Sequence, residues 1–356
     1  MTLFMREPPC GGFPWGTRQN WTLTLRLPLI ILVVFIHMNP TFDSVGYWGL
    51  TINTIAQVAV PCFFVIAGYF FVGNKPLTLE MYKVKLKKRV VTLLIPYLLW
   101  NLVPSLVLIG GNLFSIVFRG KSTEDLMTFL TDLWNDGVWH LWWDKVNGMP
   151  SDSPLWFLRD LIVMCVLAPV FYYFIKKGGK LAVVILLLLY VFLPVSWAHL
   201  PGISVTAVFF FNIGLYLRYN GIDLIGGSRM YQLACVTTAF VLLILAVLFR
   251  NQEYLYSLFI LVGAFCSFVL IGWARPSVVK CFAKFSPTIF FVYAIHQTFV
   301  LSYTGQIVGR LLPDSYIGAV LHYLIVPFIA TAVCMGIYYL MNLVSPKFLK
   351  VLCGGR

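Results

Sequence analysis

Three polar groups interrupt an otherwise apolar sequence, and each is of a type that does chemistry. The stretch TLRLPLIILVVFIHMNP, Thr24 to Pro40, carries Arg26 and, after ten intervening residues, His37. Eleven helical steps bring His37 back to within about 20° of Arg26 and roughly 16 Å further along the axis. The two share one face at different depths. Pro28 stands between them, in what reads as a first helical turn, where proline is tolerated. The stretch SPLWFLRDLIVMCVLAP, from Ser153, carries Trp156 and Arg159 three apart and so on one face, with Asp160 next. Being adjacent, Arg159 and Asp160 point in different directions, so each calls for a partner of its own. The stretch SPTIFFVYAIHQTFV, from Ser286, puts Tyr293 and His296 three apart on one face, followed by Gln297.

A guanidinium fork suits a phosphate, and an imidazole titrating near neutrality suits taking a proton from a hydroxyl. Charge inside a bilayer costs about 2.5–3.5 kcal/mol on insertion scales, so it faces a wet cavity or a partner. Blander readings stand beside these. Arg26 can snorkel to one interface with His37 at the other, Arg159 and Asp160 can belong to a structural ion-pair network, and His296 can bond a neighbouring helix. His140, His199 and His322 fall in loops or at helix ends and form no metal-like cluster, so no metal is expected. Walker, dinucleotide, G-x-S-x-G and H-E-x-x-H motifs are absent from the sequence, which sets aside the usual chemistries of those motifs.

The elements that must hold these residues are membrane helices. Of the 356 residues, 60% are hydrophobic and 11% charged, with a mean hydropathy of +0.86, which places the chain among polytopic membrane proteins. The fold class expected is all-α, with about ten transmembrane helices near 22–39, 50–72, 88–113, 155–175, 181–198, 202–219, 230–249, 255–273, 287–306 and 319–344. Nineteen of the 26 Lys and Arg lie in the two terminal segments and every second loop, so the positive-inside rule puts both termini in the cytoplasm. The net charge of +13 is thereby explained by topology and points to no nucleic-acid partner. The cluster KVKLKKR, Lys83 to Arg89, also suits anionic lipid headgroups. The expected division is a cytoplasmic tail over 1–21, a membrane domain over 22–346 and a cytoplasmic tail over 347–356. A large extracytoplasmic loop, about 114–154, carries six acids against three bases and the aromatic run WHLWW from Trp139.

Five stretches in order carry a resemblance: the Arg26/His37 pair, VPCFFVIAGYFF from Val60, KKRVVTLLIPYLLW from Lys87, LWFLRDLIV from Leu155 and FFVYAIHQ from Phe290. Together they resemble the membrane acyltransferase-3 family over nearly the whole chain, in its stand-alone branch without an appended extracytoplasmic domain and with a short GGR end, here Gly354 to Arg356. Two positions depart from the family's habit: Ala67 stands where Ser commonly precedes Gly68, and Arg159-Asp160 where other branches carry a glutamate.

The resemblance implies transfer of an acyl group, most often acetyl, from cytoplasmic acyl-CoA as donor substrate to a hydroxyl of an envelope glycan or its lipid-linked precursor, in the inner membrane of a bacterium. In that reading Arg26, Arg89 and Lys88 bind the CoA phosphates and His37 is the general base. Asp160 or Tyr293 orients His37, and Arg159 or His296 stabilises the oxyanion. Trp156, with Trp139 and Trp142 of the outer loop, meets the sugar. Direct attack and a covalent acyl-His route both remain open. The competing reading is a ten-helix transporter of a polar solute, which has no need of acyl-CoA.

Overall fold

The computed structural model describes residues 20–38, 42–72, 76–120, 122–144, 148–193 and 202–355. The expected N-terminal tail, apart from its last two residues, together with His199 and Arg356, lies outside them. The described residues are overwhelmingly helical, and each apolar run read from the sequence falls largely in helix where it is described. In chain order these are α1 (Asn20–Ile36), α2 (Phe42–Ala56), α3 (Ala59–Phe71), α4 (Leu79–Arg89) and, through a π-helical turn at Val90–Leu94, α5 (Ile95–Arg119). Then come α6 (Glu124–Asp136), α7 (Trp156–Phe192), α8 (Val205–Tyr219), α9 (Arg229–Leu248), α10 (Glu253–Gly272) and α11 (Pro276–Ala283). Next, α12 (Ile289–Ile295) passes through a second π-helical turn, His296–Leu301, into α13 (Ser302–Leu311). The chain closes with α14 (Tyr316–Val344) and α15 (Pro346–Leu352). Several helices open on a hydroxyl that accepts a hydrogen bond from the first turn: Thr78 from Met81, Ser204 from Ala207, Ser228 from Tyr231 and Ser315 from Gly318. These caps replace partners that the first turn lacks.

Among the described residues, six helical rods are long and apolar enough to cross a bilayer: Val45–Phe71, Leu79–Arg119, Ser153–Phe192, Arg229–Leu248, Glu253–Gly272 and Tyr316–Val344. The pair Pro276–Ala283 and Ser286–Leu311, bent by 41°, makes a seventh when counted as one span, and Trp21–Ile36 and Val205–Tyr219 are shorter apolar helices. The protein is thus an all-helical, multi-pass membrane protein. The expected fourth and fifth crossings run together as α7, broken at Gly179 rather than by a loop. Its φ of 51° lies in the region open to glycine.

The core is built by close helix approach as much as by large side chains. A Cβ on Gly68 of α3 would stand 2.0 Å from the Phe211 carbonyl oxygen, and one on Gly214 of α8 would stand 2.2 Å from that of Val65. Glycine at both contacts lets the α3 and α8 backbones touch, the packing device that serves where lipid removes the hydrophobic drive between helices. Phe64, Phe71, Phe209, Phe210 and Phe211 are fully buried around this seam.

Three local expectations change. Pro28 lies well inside α1, which begins at Asn20, so it removes a bond from the body of the helix. The third expected helix runs past its expected end, α5 continuing to Arg119, and α6 lies inside the stretch 114–154. The C-terminal segment docks, with Leu349, Leu352 and Cys353 buried, because three apolar side chains at helical spacing have a face to fill. Trp100 of α5 donates to the Leu352 carbonyl at 3.0 Å, and Gly354 (φ 67°) lies so close to Thr92 that any Cβ would collide with it.

Candidate active site

Helix α1 lies beside the rod Ser286–Leu311 and the short α11 that precedes it, and it meets the rod at two depths. Near one end, Arg26 donates to the Ser286 hydroxyl at 3.3 Å, and Thr24 donates to the Val279 carbonyl at 3.3 Å. Further along, the His37 ring lies against the His296 ring, with centroids 5.0 Å apart and planes at 51°. Arg26 to His37 is eleven residues and Ser286 to His296 is ten, about 16 and 15 Å of rise. Equal rises between matched contacts mean that the two helices run parallel. The face predicted from the Arg26/His37 spacing therefore points at the helix that carries His296.

His296 is wholly buried and opens the π-helical turn, a feature that recurs at functional sites. Its Nδ1 lies 2.8 Å from the Tyr293 carbonyl and 3.1 Å from that of Val292. A carbonyl only accepts, so Nδ1 carries the hydrogen and Nε2 keeps a lone pair. That Nε2 is buried without a partner. As a neutral ring, His296 keeps an acceptor on Nε2, whereas an oxyanion needs a donor.

The segment before α7 threads into the same neighbourhood. Thr298, in the π-helical turn, donates to Asp152 Oδ1 at 2.6 Å. The Asp152 N–H donates to Asn101 Oδ1 at 3.0 Å, and the Asn101 amide donates to the Tyr97 carbonyl at 2.8 Å. Tyr97 donates its hydroxyl to the Trp142 carbonyl at 2.6 Å, and the Trp142 indole donates to the Leu98 carbonyl at 3.1 Å. Tyr293 donates to the Pro154 carbonyl. Thr298 precedes the end of α13 by thirteen residues, about 20 Å of helix, so this segment packs against the body of the rod and not its tip. Burial pushes the Asp152 carboxyl up to about 7, with the Thr298 bond pulling the other way. Asn101, Asp152 and Thr298 are site-forming residues that the sequence reading does not single out. The available signal is a lone Asn inside the apolar run YLLWNLVPS.

Arg159 and Asp160 do neutralise each other, contrary to the expectation from their adjacency. Arg159 Nε and Nη2 reach Asp160 Oδ1 at 3.1 and 2.9 Å. The reason is reach: a four-atom stem lets the guanidinium fold back across the helix surface. Arg159 also donates to the Gly148 carbonyl and lies over the Trp143 ring at 5.5 Å, while Asp160 Oδ2 accepts the Ser204 N–H at 3.2 Å. With residues 8% and 0% exposed, this pair ties the threaded segment and the start of α8 to the start of α7. The contacts of Asp160 and Tyr293 thus go to the segments flanking α7. Trp156 is half-buried against the core, and Trp139 is 80% exposed beside Trp142, ring centroids 6.5 Å apart.

The basic residues gather elsewhere. Lys85, Lys88 and Arg89 lie in the last turns of α4, and Lys85 is within electrostatic reach of both, and of Arg218 at the end of α8. Lys85 Nζ sits 5.7 Å over the Phe71 ring and the Arg218 guanidinium 5.2 Å over the Tyr69 ring. Four cations thus form one cluster, two of them, Lys85 and Arg218, resting on the C-terminal end of α3 and lying beyond those chosen from the sequence. Arg26 meets a different group, the Ser286 hydroxyl.

The family model for acyltransferase-3, described as an acyltransferase domain, matches residues 23–339. The chain belongs to the acyltransferase-3 family. The match runs from the helix of Arg26 and His37 through α14, so both histidines, the threaded segment and the four-cation cluster all lie within the family domain. This acyltransferase is also 23% identical over 361 residues to the succinoglycan biosynthesis protein ExoH of Rhizobium meliloti (strain 1021), covering 93% of this chain and 91% of that protein. No solved structure matches it.

Proposed function

We propose that this acyltransferase moves an acetyl group from cytoplasmic acyl-CoA to a hydroxyl of an envelope glycan or its lipid-linked precursor. The observation that carries the reading is the parallel pair of helices with Arg26 and Ser286 at one depth and His37 and His296 at the other. A donor made on one side and an acceptor displayed on the other need a polar path of this kind. Family membership supports acyl transfer, and the name of ExoH, a protein of succinoglycan biosynthesis, supports a glycan as acceptor. In this reading ten crossings span residues 22–346 in a bacterial inner membrane, with the segments 1–21 and 347–356 both cytoplasmic.

Arg26 and the cluster of Lys85, Lys88, Arg89 and Arg218 bind the phosphates of CoA, a polyanion for which guanidinium and ammonium groups are matched. The thioester lies between α1 and the Ser286–Leu311 rod. His37, half-buried at the end of α1, takes the proton of the acceptor hydroxyl as its oxygen attacks the thioester carbonyl. The C–O bond forms, the C–S bond breaks, and the CoA sulfur leaves with that proton. Trp139 faces the sugar as a flat apolar surface. A positioned general base contributes about 10²–10⁴-fold, so His37→Ala removes detectable transfer while acetyl-CoA still binds. Retained transfer by a folded His37→Ala protein would rule out the role.

A further inference from the structure

We infer that His296 is the residue that orients His37, so that the base is a pair of neutral imidazoles in series: backbone carbonyl, His296, His37, hydroxyl. The inference rests on the acyl-transfer reading for its chemistry, and on the geometry of the two rings for its form. His296 is fixed from behind, its Nδ1–H held by the carbonyls of Tyr293 and Val292. Its Nε2 lone pair is buried and unpartnered, and the neighbouring ring is that of His37, 5.0 Å away between centroids. A ring nitrogen stands about 1 Å from its ring centre, so nitrogens turned toward each other at that separation are about 3 Å apart, a hydrogen-bond length. Rotation of the half-buried His37 ring places an N–H on the waiting Nε2 and leaves its other nitrogen as a lone pair for the hydroxyl.

The logic is that of a catalytic triad in which a third group fixes the tautomer of the base and steadies the imidazolium that forms. Here a second neutral imidazole stands where a carboxylate would. In a membrane interior that choice avoids a permanent buried charge in the resting state, and a charge exists only while the proton is in transit. Asp160 and Tyr293 make their own contacts with Arg159, Ser204 and Pro154, so neither is needed for this role. The proton balance is closed: it passes from the hydroxyl to His37 and from there to the departing sulfur, while His296 keeps its own hydrogen throughout.

The test combines kinetics with ring-nitrogen NMR on protein labelled at its five histidines with ¹⁵N and held in detergent or nanodiscs, with assignments from single-histidine variants. Wild-type His296 should carry hydrogen on Nδ1 alone and His37 should hold one tautomer. His296→Leu should lower kcat about 100-fold with the KM for acetyl-CoA unchanged, and His37 should become a mixture of tautomers. His296→Gln, whose carbonyl oxygen can accept the same N–H, should recover most of kcat and keep the His37 tautomer single. Hydrogen on Nε2 of wild-type His296, or full kcat in a folded His296→Leu protein, would overturn the pairing. A wild-type protein that transfers no acyl group would instead count against the acyl-transfer reading, while the nitrogen shifts, which need no substrate, would still decide the pairing.

Discussion

A proton leaving a hydroxyl inside a helical bundle needs an acceptor placed to within a fraction of an ångström, and in this chain the side chains that fit are few. His296 combines full burial with an unpartnered ring nitrogen and the half-buried His37 ring lies against it, whereas Arg159 and Asp160 satisfy each other and hold backbone groups. Asp152 belongs with the holding groups. Its carboxyl sits at about 7 in the folded protein against 3.8 for the free group, raised by burial. The folded state therefore binds the proton more tightly than the unfolded state. The stability this contributes is complete below about 4, declines as pH rises through the window, and is gone above about 7. Between pH 5 and pH 8 the melting temperature of the wild type should thus fall relative to that of Asp152→Asn, which keeps the shape without the charge. Parallel curves for the two proteins would show that Asp152 does not titrate in this window.

Among the elements, the contact of α3 with α8 sets the frame. Gly68 and Gly214 sit where any Cβ would enter a backbone carbonyl, and Arg218 of α8 reaches the Tyr69 ring of α3 across that approach, with Lys85 of α4 over the neighbouring Phe71. Gly68→Leu should separate the helices, lower thermal stability by several kcal/mol, as overpacking of a tight contact does, and weaken donor binding with it. An unchanged melting curve would mean that the seam is softer than its geometry indicates. This scale also separates what sequence could tell from what it could not. Arg26, His37 and His296 stand out in the sequence because a polar residue in an apolar run is costly, and their shared faces follow from helical periodicity alone. The bonds of Asp152 to Thr298 and Asn101 join residues 146 and 51 positions apart, and no local pattern announces such a pairing. The Arg159–Asp160 pair misleads a helical wheel because the wheel places Cβ atoms, not the end of a flexible arginine. Gly179 hides inside KKGGK because a one-residue break and a short loop have the same composition.

At the scale of the whole molecule, the account requires a path from a basic mouth to an acceptor on the opposite side. The parallel run of α1 with the Ser286–Leu311 rod gives the path a direction, and in the proposed topology, which follows the charge bias between alternate loops, the Arg26 end is cytoplasmic. A reporter fused after Phe118 should consequently read as extracytoplasmic; a cytoplasmic reading would reverse the path and the mechanism with it. The docked C-terminal helix lies near the cations, Gly354 resting on Thr92 three residues after Arg89, so α15 helps to set the position of the π-helical turn that follows them.

The claim on which the rest depends is that the donor is acyl-CoA, received at the basic mouth. Binding of acetyl-CoA, with free CoA and longer acyl-CoAs beside it, to the purified protein and to Arg26→Ala and Lys85→Ala/Arg218→Ala variants tests it most directly. The account predicts saturable binding by the wild type, weakened about tenfold or more in each variant, as the loss of charge-assisted phosphate bonds requires. A folded wild-type protein that binds no CoA species would contradict it.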